Sequence, residues 1–184
     1  MVFVLNNDIM LNPMKTFAYL SVIVLIILFS SCHKIEQLPD VPRIEFTSFT
    51  VFDTTDILGN SQKGGRLKFY FEDGDGDLGL PSPDNDQTDT TNLFFTLYRK
   101  AGGPMIQAPD DDPLKPSSYR IPYIDRPGRN KIIKGTIAVT FFYLFYSDSD
   151  TIRYDFYVKD RANHDSNTAS TSEIVISVND IYAK

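Results

Sequence analysis

Three carboxylates at alternate positions, Asp73, Asp75 and Asp77, stand apart in the segment FEDGDGDLG (Phe71 to Gly79), with Gly74 and Gly76 between them. Glycine tolerates positive φ, so the backbone can curl there and turn alternate side chains toward one point. Hard oxygen donors on such a loop suit calcium. Against an EF-hand loop, the three fall at the first, third and fifth positions. Leu78 replaces the expected glycine, and Asp84 stands where a closing Glu belongs. Both flanks read as strand, so the EF-hand is rejected and the metal is kept. Calcium takes roughly six to eight oxygens at ~2.3 to 2.6 Å. Further candidate ligands are Asp84, Asp86 and Asp89 in the same loop, and Asp160 and Asp165 in a later one. The competing reading is a glycine-rich solvated turn whose aspartates cap backbone amides.

Little else offers chemistry. Nucleophilic catalysis needs a nucleophile activated by a base, and His33 and His164, the two histidines, come with no partner motif. The acids could serve a glycosidase, so a small envelope hydrolase or glycan-processing accessory is the alternative to a non-catalytic module. The PDDDP run (Pro109 to Pro113) reads as a solvated loop, since adjacent carboxylates between prolines do not converge easily. The net charge of −6 argues against a phosphate-backbone partner. Cys32 is the only cysteine, which excludes an intrachain disulfide and a Cys-based zinc site.

That cysteine closes a three-part leader. Lys15 gives one positive charge, Phe17 to Phe29 is apolar, and small Ser30 and Ser31 precede Cys32. The apolar stretch falls short of the ~20 residues that span a bilayer as a helix. FSSC resembles a lipobox, with Phe29 where Leu is commoner, and the resemblance implies cleavage before Cys32 and diacylglycerol and acyl chains on its thiol and amine. An ordinary secretory signal or an uncleaved anchor is the competing reading. More than one chain gives stable anchoring, so the mature protein is expected to be exported and membrane-bound without spanning, with the outer membrane the expected location. Residues 1–13 read as an upstream extension of the reading frame, 14–31 as the signal peptide, 32–41 as a tether and 42–184 as one domain.

The elements that must position the acidic loop are strands. Phe (14) and Tyr (10) are abundant, Trp is absent, and Thr, Ile and Val recur in short runs. Seven runs separated by turn clusters emerge: Arg43 to Phe52, Gly65 to Phe71, Leu93 to Lys100, Tyr119 to Ile124, Lys131 to Tyr146, Thr151 to Lys159 and Ser172 to Val178. Leu67, Phe69 and Phe71 share one face, as do Ile152, Tyr154, Phe156 and Val158. No mature segment keeps a helical period. The expectation is an all-β chain: a seven-stranded immunoglobulin-like or fibronectin III-like sandwich. Alternating strand directions would gather the loops after the second and sixth strands, with Asp40, at one acidic end. Tyr154 sits where such folds often place a corner tyrosine, and an inward-facing core tyrosine is the equal alternative.

With the leader, FEDGDGDLG and VKDRAN (Val158 to Asn163) resemble the small secreted lipoproteins of Bacteroidota that carry such sandwiches. The resemblance implies a location and a fold, and no activity. A binding or scaffold module is expected, with an envelope protein or a glycan as partner. The Tyr- and Arg-bearing segment Tyr119 to Asn130 is a candidate contact loop, unless Tyr119, Tyr123 and Ile124 pack on the core.

Overall fold

The computed structural model describes residues 17, 19, 21, 37–82, 91–100, 102–126, 128 and 130–184. Residues 1–13, most of 14–31, Cys32, and Asp84, Asp86 and Asp89 lie outside the described residues. The chain divides into two units, Met1–Glu36 and Gln37–Lys184. In the first, Phe17, Tyr19 and Ser21 are helical. Among the described residues no helix is long and apolar enough to cross a membrane.

The described residues of Gln37–Lys184 are all-β. Two antiparallel sheets are built from β1 (Arg43–Thr55), β2 (Ser61–Asp73), β3 (Leu93–Lys100), β4 (Ile106–Gln107), β5 (Ile133–Tyr143), β6 (Thr151–Val158), β7 (Ala169–Ser170), β8 (Ile174–Val175) and β9 (Ile181–Ala183). One sheet has the order β5-β2-β1-β9; the other runs β4-β3-β6-β7, with β8 also on β6. Aromatic rings join the sheets face to face: Phe69 of β2 lies 5.2 Å from Phe156 of β6, and Phe95 of β3 lies 5.4 Å from Phe141 of β5.

Period-two alternation fixes which side chains enter the core. Leu67, Phe69 and Phe71 on β2 and Ile152, Tyr154, Phe156 and Val158 on β6 are all buried. Burying one such side chain contributes roughly 1.5 to 3 kcal/mol, and a one-residue slip would turn the whole set to solvent. Strand β1 changes parity partway along. Ile44 and Phe46 are buried, then Phe49 and Val51, because the register shifts between Phe46 and Ser48. The extra residue of this bulge carries the apolar face across an odd spacing.

Two expected strands are corrected. Tyr119 to Ile124 forms only isolated bridges, Leu93 with Tyr119 and Leu80 with Pro122, since Pro122 has no N–H to continue a ladder. Of Ser172 to Val178 only Ile174–Val175 is strand, and the chain turns at Ile176 to Val178. The short strands β4, β7 and β9 carry no alternation for a sequence to display. Tyr154 is a core residue. Its hydroxyl donates to the carbonyl of Leu114 at 2.6 Å, 40 positions upstream and outside the β5–β6 connection where a corner tyrosine would bond. That leaves the Tyr143 hydroxyl as the donor in the 3.0 Å contact between the two tyrosines.

The PDDDP run is more than a solvated loop. Asp112 is almost buried, accepts from Arg99 at 3.0 Å and receives the Leu114 amide at 2.9 Å, while Arg99 also reaches Asp150 at 2.7 Å.

Candidate metal centre

Registers place the acidic loop at one end of the sandwich. Asp73, the last residue of β2, pairs with Ile133, the first of β5. Arg43 opens β1 opposite Glu72, and Leu93 opens β3 opposite Val158, where β6 ends. The start of β1 and the loops after β2 and β6 therefore share that end.

Four stretches of backbone close around the loop. The Gly74 amide donates to the Pro39 carbonyl at 3.0 Å, and the Asp77 carbonyl accepts the Arg161 amide at 3.3 Å. A Cβ at Gly74 would fall 2.3 Å from the Leu38 oxygen, one at Gly76 2.1 Å from the Lys131 oxygen, and one at Gly79 2.3 Å from the Pro122 oxygen. Gly76 also has φ +75°. Glycine is required here by close backbone approach as well as by conformation.

Inside this enclosure the carboxylates converge. One ligand oxygen from each of Asp73, Asp75 and Asp77 lies within 4.8 Å of the others. Asp73 is fully buried. Its Oδ2 accepts the Leu78 amide at 2.9 Å, and Asp77 Oδ2 accepts the Ala162 amide at 3.1 Å. The Oδ1 atoms of Asp73, Asp75 and Asp77 are each buried with no hydrogen-bond partner. Asp73 and Asp77 thus each cap an amide with one oxygen, and the second oxygens stay without a partner. An unsatisfied buried acceptor costs about 1 to 3 kcal/mol, and more when charged. Mutual repulsion adds to that cost, and a hard cation among the three oxygens would relieve both.

The electrostatics agree with the geometry. Burial, then the neighbouring charge of Asp75, pushes the Asp73 carboxyl up to about 7. Asp77 is raised by burial, then by Asp160 and Asp75. Three carboxylate oxygens are hard donors of the kind calcium takes; magnesium demands a stricter octahedron and keeps more of its own water.

The other candidates are placed differently. Asp160 lies near enough to Asp77 to raise it, but its oxygens serve its own loop: Oδ1 accepts the His164 amide at 2.7 Å and Oδ2 meets His164 Nδ1 at 2.9 Å. That contact raises the His164 imidazole above its ordinary value. Asp165 is largely exposed and faces Lys159 at 3.4 Å. Tyr119 and Ile124 pack against the core. Tyr123 is half exposed beneath the Arg161 guanidinium, which sits 4.9 Å from the ring centroid.

Two residues that hold the site escape sequence reasoning. Asn92, almost wholly buried, donates to Leu78 O at 2.7 Å and Lys159 O at 3.2 Å, and accepts the Ile121 amide at 2.7 Å. It ties the acidic loop to β6 and to the 119–124 segment. Arg161 donates to Gly79 O at 2.5 Å. Its place in VKDRAN marks a turn, with no sign in the sequence of what the side chain reaches.

The chain matches no protein-family model, no curated protein and no solved structure.

Proposed function

We propose that Gln37–Lys184 is a calcium-stabilised, non-catalytic binding or scaffold module of the bacterial cell envelope, carried on the membrane by lipid on Cys32. The observation that carries the calcium reading is the set of three buried, unpartnered Oδ1 atoms on Asp73, Asp75 and Asp77. Asp73, Asp75 and Asp77 would hold the ion, and backbone carbonyls and water would complete its shell. The ion would supply structural charge compensation, fixing the loop that joins β2 to β3 and, through it, the loop after β6.

Connectivity supports the finer fold reading. With β1, β2 and β5 taken as A, B and E, and β4, β3, β6 and β7/β8 as C′, C, F and G, both sheet orders are those of an immunoglobulin-like or fibronectin III-like sandwich. Strand β9 extends the A edge. The resemblance to Bacteroidota lipoproteins supports the location, with the outer membrane as the expected address and an envelope protein or glycan as the expected partner.

Thermal melts of residues 33–184 with calcium and with chelator test the reading. A ligand that binds only the folded state stabilises it by about 2.7 kcal/mol at a hundredfold excess over its Kd, and calcium at an exported site of this kind is expected to act near millimolar concentration. Identical melts would overturn it. Radiolabelled palmitate tests the anchor separately: a Cys32→Ala protein that still takes up label would remove that part of the proposal.

A further inference from the structure

Leu38 and Pro39 closely follow Cys32 in the chain and lie against the acidic loop. Their contact is backbone on backbone. The Gly74 amide donates to the Pro39 carbonyl at 3.0 Å, and a Cβ at Gly74 would come within 2.3 Å of the Leu38 oxygen and 2.5 Å of the Pro39 oxygen. Gly74 sits between Asp73 and Asp75, so the dihedral angles that bring those two carboxylates together also aim its amide. On the far side of the same loop, Asp77 receives the Arg161 and Ala162 amides. The loop is thus a clasp with the N-terminal segment on one side, the β6–β7 loop on the other and the three unpartnered oxygens between them.

We propose that a divalent cation at Asp73, Asp75 and Asp77 controls the docking of Leu38–Pro39, so that calcium decides whether the tether leading from Cys32 is held against the sandwich or swings free of it. The inference rests on the cation reading above and goes further by giving the ion a regulatory consequence. Without the ion, repulsion among the carboxylates spreads the loop, the Gly74 amide turns away, and Pro39 loses its donor. With it, the membrane-proximal segment becomes part of the rigid end, which restricts how the domain presents its surfaces. Linkage makes the effect reciprocal: if calcium tightens the docking by some factor, forcing the segment off must weaken calcium binding by that factor.

The test uses the full chain in detergent with Cys32→Ser, and a nitroxide attached through Asp40→Cys, a position exposed to solvent. Electron paramagnetic resonance is recorded in calcium and in EGTA, beside a calcium titration. The expected result is an immobilised label in calcium and a freely tumbling one in EGTA, with an Asp75→Asn line shape that no longer depends on calcium. Adding Gly74→Ala should leave the label mobile in calcium and weaken calcium binding by about tenfold, a typical coupling between sites. If calcium binds but the line shape does not change, the clasp is wrong and the cation site stands. If the titration detects no calcium binding, both fall. The wild-type loop alone decides between these results, so a Gly74→Ala chain that failed to fold would not blunt the test.

Discussion

Asp77 accepts the amide of Ala162 through Oδ2 at 3.1 Å, across 85 positions of sequence, while its Oδ1 is buried without a partner. One carboxylate therefore holds two loops together with one oxygen and leaves the other without a partner. The same division recurs at Asp73, whose Oδ2 takes the Leu78 amide. The amide bonds orient the loop, and the remaining oxygens concentrate charge that a cation, or a proton at low pH, would relieve.

Removing one charge should have opposite effects in the two conditions. In chelator, Asp75→Asn lessens the repulsion on Asp73 and Asp77 and should melt at or above the wild-type temperature. In calcium it loses a ligand and should melt lower. Destabilisation by the same amount in both buffers would show that Asp75 has a purely local role.

The pH dependence follows from Asp73. Its folded-state value of about 7 lies above the ~3.9 of an unfolded aspartate, so between these values the folded state binds the extra proton. The contribution of Asp73 to the stability of the metal-free domain is then fully present below about 3.9 and is lost as pH rises through about 7. His164, also raised, adds in the same direction. Calcium competes with the proton, so its stabilising effect should grow over that interval. Chelator melts should be higher at about pH 5 than at about pH 8, with the calcium increment larger at pH 8. A metal-free domain that gains stability between those values would contradict this assignment.

Glycine substitutions separate conformational strain from enclosure. Gly76 and Gly102 both have positive φ, but only Gly76 has an obstacle, the Lys131 carbonyl, while nothing lies within 4 Å of a Cβ at Gly102. Gly102→Ala should cost about 1 kcal/mol. Gly76→Ala should cost more, because backbone must move, and should weaken calcium binding too. Equal costs by denaturant unfolding would mean the close approach is not felt.

Tyr154→Phe should destabilise by about 1 to 3 kcal/mol, because it strips the buried Leu114 carbonyl of its donor. Tyr143→Phe should cost less, since Tyr154 keeps the acceptor for its own proton. The reverse order in chemical denaturation would reassign the donors.

Much of the fold was legible because burial and period coincide in the long strands. Leu67, Phe69 and Phe71 and the run Ile152 to Val158 show their inward faces in the sequence, and the structure buries them. The segment Tyr119 to Ile124 misled because its aromatic and branched residues pack on the core without ladder bonds, with Pro122 in their midst. Strands β4, β7 and β9 are too short to carry a pattern. In the site, alternating Asp and Gly announced Asp73, Asp75 and Asp77. The parts contributed by backbone, such as the Pro39 and Lys131 carbonyls, and by Asn92 depend on tertiary approach, and side-chain types cannot disclose them. Strand topology alone points to Asp160 and Asp165. The structure brings Asp160 near and engages its oxygens with His164, while Asp165 faces Lys159.

Calorimetric titration of calcium into chelator-stripped residues 33–184, beside a protein carrying Asp73→Asn, Asp75→Asn and Asp77→Asn, tests whether these three aspartates hold an ion. One saturable site per chain at about 0.1 to 1 mM is expected in the wild type and none in the triple variant. No binding heat in the wild type at several temperatures, or equal binding by a folded triple variant, would contradict it.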